Sequence, residues 1–519
     1  MPRHRAPQLL ATIAVGCTIT TISPESPAFE TQVESETTAQ GYQVRNIWGD
    51  PILSRRRYLQ TLGLHITDIG KDETTESSNV SKAKGPDVSF HMRLRLDADF
   101  GVQPPELSHE YNPANFVPGL QRGPFDLMYG YFEIRNLANG LLSARAGRQY
   151  VIDALGWWSF DGVLARVDLP IYVGIEAYGG FEQRSGLPLS TGRFESGGVW
   201  RGDRTSIDAF TYPEFLKAGI APTHGFVVES IGIPVVHGKI AYRRVWNTGA
   251  VVTNPFSDEQ SSGPATTDGA RISQERVGGS LDAVVDGIGA ARSGLIYDLY
   301  RSQVTSWYGA VDGYVSSSIT AGVDVDRVIP TFDGDSIWNW FTTEPTTTLL
   351  GRVDVGFTRR LRGSIAGGVR WVDVDLPDMD GSEKPDASTS NSSTSSSSAS
   401  SSAMLDLLGR VSLRHDMRSG HVGVAGLTDR GERGSRDGFD VFAEQAIEER
   451  FLLSGRAGLY DWRDDLTPDK STTSFGYMLG TGYRIGRVTT ARLEWEHDVN
   501  GLVGQRYRVL ASLQLLVNR

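Results

Sequence analysis

Charged residues recur in this chain at every second position. Arg93, Arg95, Asp97 and Asp99 alternate with Leu94, Leu96 and Ala98. Near the C-terminus Arg492, Glu494, Glu496 and Asp498 alternate with Leu493, Trp495 and His497, and Arg506 and Arg508 follow. Arg352, Arg370, Arg410, Arg414, Arg456 and Arg484 stand in similar runs. A period of two places such residues on one face of an extended strand. If the last hairpin is centred near 502, Asp498 faces Arg506 and Glu496 faces Arg508. A mixed face of this kind has two uses. It orients charged solutes across a pore, or it neutralises itself and holds a wide barrel in shape. Arginine suits either use, because it keeps its charge when partly buried and forks onto carboxylates. The lysines are only Lys71, Lys82, Lys84, Lys217, Lys239, Lys384 and Lys470.

Other chemistry finds little to stand on. There is no Gly-x-Ser-x-Gly elbow, no His-Glu-x-x-His and no phosphate loop, and the nine His are scattered. One Cys forms no disulfide framework and no multi-Cys zinc site. A net charge of -11 argues against a nucleic-acid partner. We expect no enzyme, no cofactor and no metal. Asp373, Asp375, Asp378, Asp380 and Glu383 do not have EF-hand spacing and read as an acidic surface loop, with Ca²⁺ as the residual alternative.

The elements that carry the charged face are amphipathic strands. Val88, Phe90, Met92, Leu94, Leu96, Ala98 and Phe100 share one face over thirteen residues. The pattern recurs to Val517, for example in Leu349, Gly351, Val353, Val355 and Phe357. No apolar run is long enough for a membrane helix, whereas these strands are long enough to cross a bilayer at a barrel's tilt. About 20 strands (18–22) are expected from this pattern, in an all-β antiparallel up-and-down transmembrane barrel. The connections alternate. Short ones include 139–140, 169–170, 234–238, 360–361 and 486–487. Long ones include 101–124, 151–159, 184–224, 247–274, 375–403 and 429–436. The segment 301–303 is short where a long one is due. Short turns on the periplasmic side and long external loops are the habit of outer-membrane barrels. Both termini then fall on the periplasmic side, which needs an even strand count. Trp246, Trp307, Trp371 and Trp462 fall at strand ends, as interfacial girdles require.

The barrel is expected over 87–519, with a disordered Ser-rich external loop at 386–403. Residues 29–86 form a periplasmic segment, or an extra first hairpin from Tyr42–Ile47 and Tyr58–Ile69 that raises the count to 22. Residues 1–28 read as a signal peptide: Arg3, His4 and Arg5, an apolar run from Leu9 to Val15, then Ser26-Pro27-Ala28. Cys17 follows Ala14-Val15-Gly16, which resembles a lipoprotein box, although a plain apolar-core role fits it as well. In either case the chain is exported.

The pieces Arg145, Gly147-Arg148-Gln149 and Phe160-Asp161-Gly162-Val163 resemble a pattern of Gram-negative porin-like barrels, including alginate-export and related families. The resemblance implies that Arg145 points into the lumen and that Arg148 and Gln149 lie at the strand's external end. Such barrels usually end in an aromatic residue, whereas this chain ends in Val517, Asn518 and Arg519. The segment 184–224 is third among the long connections. By analogy with porin third loops, it folds inward and brings Arg193, Arg201, Asp203, Arg204 and Asp208 to a constriction. The alternative is a loop packed across the outer mouth.

These readings converge on an outer-membrane channel for small polar or charged solutes. Its partners are then outer-membrane lipids, lipopolysaccharide and the barrel-assembly machinery. A polysaccharide export conduit and a structural or adhesive barrel with a closed lumen are the alternatives.

Overall fold

The computed structural model describes residues 29–69, 85–99, 125–182, 221–248, 251–254, 265–267, 269–330, 344–374, 402–465, 471–486, 488–502 and 504–518. The expected signal peptide with Cys17, the Ser-rich tract, most of the acidic cluster and the proposed constriction residues lie outside that set.

The strands in chain order are β1 (Glu30–Arg45), β2 (Pro51–Thr67), β3 (Asp87–Asp99), β4 (Phe125–Leu137), β5 (Leu142–Asp153), β6 (Gly156–Leu169), β7 (Val173–Glu182), β8 (Pro222–Ser230), β9 (Val236–Asn247), β10 (Val251–Asn254), β11 (Ala265–Thr267) and β12 (Arg271–Val285). They continue as β13 (Gly289–Asp298), β14 (Gln303–Ser316), β15 (Ile319–Val328), β16 (Thr346–Gly356), β17 (Leu361–Val374), β18 (Ser402–Asp416), β19 (Gly420–Gly431), β20 (Gly434–Ile447), β21 (Phe451–Asp464), β22 (Thr472–Ile485), β23 (Thr489–Asn500) and β24 (Gly504–Asn518). β10 and β11 form a separate two-stranded hairpin, and the other strands make one 22-stranded sheet. Each strand of that sheet pairs antiparallel with its neighbour in the chain. β9 pairs with β12, and β1 pairs with β24, so the ring closes. The fold is an up-and-down β-barrel, and closure leaves it no sheet edge.

The count rises from 20 to 22 because β1 and β2 join the ring as a hairpin. It is longer than the one expected from Tyr42 and Tyr58, and its turn spans 46–50. Parity is kept, and the start of β1 and the end of β24 lie at one end of the barrel. That end carries the tight turns 138–141, 170–172, 231–235, 286–288, 317–318, 357–360, 417–419, 448–450 and 486–488, with 68–86 the one long exception. The other end carries the long connections 100–124, 183–221, 248–270, 329–345 and 375–401. Two connections expected to be long are tight turns at this end, at 154–155 and 432–433, because β5, β6, β19 and β20 run further than the alternation suggests.

Register identifies the concave face. Arg93 of β3 reaches Glu34 and Glu36 of β1 across β2, at 3.6 and 3.4 Å. Arg370 of β17 reaches Asp429 of β19 across β18, at 3.2 Å. Arg352 of β16 reaches Asp312 of β14 across β15. Side chains on strands two apart converge most readily on the inner side of a curved sheet. The opposite face carries Phe132, Ile240, Val311, Ile365, Leu407 and Leu479, all more than half exposed. An apolar belt of that extent around a closed ring belongs in lipid. Aromatics mark its two rims. Phe451 and Tyr483 pair 4.7 Å apart near the tight-turn end. Tyr477, Trp495, His497 and Tyr507 cluster toward the other, with His497 stacked 4.4 Å from Tyr507. Trp246, Trp307 and Trp371 share the outward face, whereas Trp462 opposes Arg436 and lies on the inward one.

Candidate functional site

The inward face is where solute chemistry can occur. In the last hairpin Asp498 opposes Arg506 and Glu496 opposes Arg508, the register expected from the sequence. Arg506 bridges both acids, at 2.5 Å to each, and Arg508 also contacts Glu496. Arg352 joins Asp312 and lies 3.5 Å from Asp324. Arg370 joins Asp406 and Asp429. Arg145 donates to Glu133 at 2.7 Å, and Arg456 to Asp440 at 3.0 Å. Much of the lining therefore neutralises itself across neighbouring strands. Apart from the pair on the buried Glu133, these partly exposed pairs are individually worth little, about 0–1 kcal/mol, so their sum shapes the wall more than it stabilises it. Arg93 and Arg95 share this face, and Arg95 is buried within it. Asp97 and Asp99 oppose Leu59 and Arg57, and their side chains lie outside the described set.

Arg410, Arg484 and Arg492 differ. All three are exposed, and no acceptor is recorded for them among the described residues. Arg410 stands midway along β18 opposite Ala366 and Leu427, which offer no charge. Arg484 and Arg492 lie toward the tight-turn end. Glu494, between Arg492 and Glu496, also has no recorded partner among the described residues.

The inner wall is narrowed by the hairpin β5–β6. The tip at Ala154 and Leu155 reaches Val227 of β8 and Ala241 of β9 and packs against Ile296 of β13. Arg243 of β9, 2% exposed, stacks on Trp158 at 4.4 Å and donates to the Leu155 carbonyl at 3.3 Å. Below the tip, Val151, Phe160, Leu164 and Tyr178 form a small apolar core, with Trp158 against it. Tyr150, on the hairpin's other face, comes 5.9 Å from Tyr129 of β4. A hairpin that touches strands this far around the ring lies inside it.

The residues singled out by resemblance form the pivot of this bend. Gly147 opposes Gly162, Arg148 opposes Asp161 and Gln149 opposes Phe160. Gly147 has φ +129, and a β-carbon there would collide with the Gly130 carbonyl oxygen; one on Gly162 would strike the Gly179 carbonyl oxygen. Only glycine lets the backbones approach so closely and turn there. Arg148 then clamps Asp161 with two hydrogen bonds of 2.7 and 2.9 Å, and Gln149 donates to the Gly162 carbonyl at 3.1 Å. The resemblance implies that Arg148 and Gln149 end the strand, whereas β5 continues past them to Asp153. Sequence reasoning missed Arg243, Trp158, Tyr178 and Leu155. The Trp157-Trp158 pair beside a glycine was the one available signal.

One further feature lines the wall. His65 and His91 approach Nδ1 to Nδ1 at 2.9 Å, with Ser89 and Glu133 beyond. Among the described residues no group of three or more His, Cys, Asp or Glu is placed to hold a metal.

No family model matches the chain. No curated protein matches it either. Solved structures do. OccAB4 of Acinetobacter baumannii is similar over 96% of this chain and 100% of its own, at 5% identity and a TM-score of 0.41. OccAB3 of the same organism covers 94% of this chain and 99% of its own, at 10% identity and 0.38. OpdK of Pseudomonas aeruginosa, described as an outer membrane protein, covers 94% and 99%, at 8% identity and 0.37.

Proposed function

We propose that the chain is an outer-membrane channel, not an enzyme, that passes small polar or charged solutes by diffusion. The observation that carries this reading is the closed 22-stranded ring with an apolar convex face and a charged concave one. A ring of that size is wide enough to conduct unless its lumen is filled. The β5–β6 hairpin narrows one side of the wall, and the exposed guanidinium groups of Arg410, Arg484 and Arg492 offer transient partners to passing anions. The long-loop end faces outward, since the tight-turn end holds both ends of the barrel domain. Lipid contacts the convex face, and insertion of such a barrel calls for the assembly machinery.

The test is a planar-bilayer recording of the purified, folded protein. Discrete conductance steps with a measurable reversal potential in a salt gradient are expected. A silent bilayer, with folded protein verified by heat-modifiable migration, would favour the closed structural barrel instead.

A further inference from the structure

Outside the lumen, a groove of about 470 Å³ indents the convex wall where β1 closes on β24. Its floor is one register row. Trp495 opposes Val509, Val509 opposes Gly41, and Gly41 opposes Arg56. Gly41 leaves a gap in that row, because a β-carbon there would meet nothing within 4 Å. Above it, toward the long-loop end, Arg45 lies 5.9 Å from the Tyr507 ring. Gln43 and the Gly49 carbonyl orient Arg45 at 3.0 and 3.4 Å. The groove is thus aromatic and aliphatic on one side and cationic on the other.

The two arginines are unusual for their face. Arg244, Arg327, Arg430 and Arg463 also face outward, and each has a carboxylate partner, at 3.7, 2.9, 3.0 and 2.8 Å. Among the described residues neither Arg45 nor Arg56 has one. A guanidinium on the lipid face of a barrel is costly near the midplane and tolerated only toward the interface. Two of them beside one groove at that depth call for an anion that the membrane itself supplies. Phosphate matches the guanidinium fork, and a chain-bearing phosphate would also fill the gap over Gly41.

We propose that this groove seats a phosphorylated glycolipid of the lipid A type from the leaflet on the long-loop side. Arg45 and Arg56 hold a phosphate, and Trp495, Val509 and the space at Gly41 take the upper part of an acyl chain. The assignment rests on the membrane reading above, and two separate measurements keep the two apart. Fractionation and heat-modifiable migration come first; recovery of the chain as a soluble protein overturns the membrane reading and this one with it. Detergent-purified, delipidated protein that passes is then titrated with bisphosphorylated lipid A and followed by native mass spectrometry. One lipid per chain is expected, bound at least tenfold more weakly by the R45Q/R56Q double variant and by Gly41→Leu, which fills the gap without touching charge. Lipid A stripped of phosphate should bind as weakly as the double variant does to the intact lipid. Equal binding by the parent and the folded double variant overturns the proposal. Equal affinity for phosphatidylglycerol overturns the glycolipid assignment, and a dimer lost in the double variant shows that a second copy fills the groove instead.

Discussion

The Arg243 guanidinium lies 4.4 Å from the centre of the Trp158 ring and so ties β9 to the tip of a hairpin rooted three strands away. A desolvated cation over an indole contributes about 2 kcal/mol or more. Arg243 also holds the Leu155 carbonyl. Arg243→Ala should free the tip from the wall, and single-channel recording should show a changed conductance with more open-state noise. Arg243→Lys keeps charge but not the planar stack, and should fall between. A parent-like trace for the alanine variant would mean that the tip does not bound the path.

Adjacent residues of β18 should respond oppositely to charge, because successive side chains point to opposite faces. Val411 faces outward and is more than half exposed. Val411→Arg sets a guanidinium in hydrocarbon, at a cost of about 2–4 kcal/mol if near the midplane. Arg410→Gln leaves that face intact, and only the reversal potential should move, toward cations. Urea unfolding in vesicles and bilayer recording give the two readouts. Similar stability losses in both variants would contradict the facing.

The pivot at Gly147 should be intolerant. Any side chain must adopt φ +129 and displace the Gly130 carbonyl. The backbone conformation alone costs about 1–3 kcal/mol. Gly147→Val should lower the temperature at which the folded gel band is lost, whereas Gly41→Val, in open space, should not. Equal effects of the two would show that crowding at the pivot is unimportant.

Deleting 388–402 should leave insertion unchanged. The tract contributes no apolar residue other than alanine, and beyond it Asp373 of β17 still opposes Ala403 of β18. Loss of heat-modifiable migration in the deletion variant would show that the barrel needs it.

How far the sequence reveals the barrel depends on where water and lipid divide cleanly. From β12 onward one face is apolar and the other charged, so strands, facing and even the Asp498–Arg506 register are legible. β1 is not, because its outward positions include Thr31, Ser35, Thr37 and Gln43. Those groups are partly satisfied within the sheet, as Gln60 donates to Ser35 at 2.9 Å, and the polarity alternation disappears. The β5–β6 tip was read as an external loop for a related reason. Its residues pack inside the barrel, so an apolar Leu155 and a pair of tryptophans stand where a lumen-facing strand would show polar groups. Arg243 gave no signal in a chain rich in arginine; only the fold brings Trp158 against it.

Gln32 of β1 opposes Asn518 of β24, so the seam joins residues from nearly opposite ends of the polypeptide. Until the final strand is delivered, β1 remains a long unpaired edge that can accept a foreign strand. A chain cut short before β24 is therefore not a slightly narrower channel but an open sheet with two adhesive margins. Its expected fate is aggregation or proteolysis. Because contacts so distant in sequence form slowly, the interval before the seam closes is when the chain most needs protection.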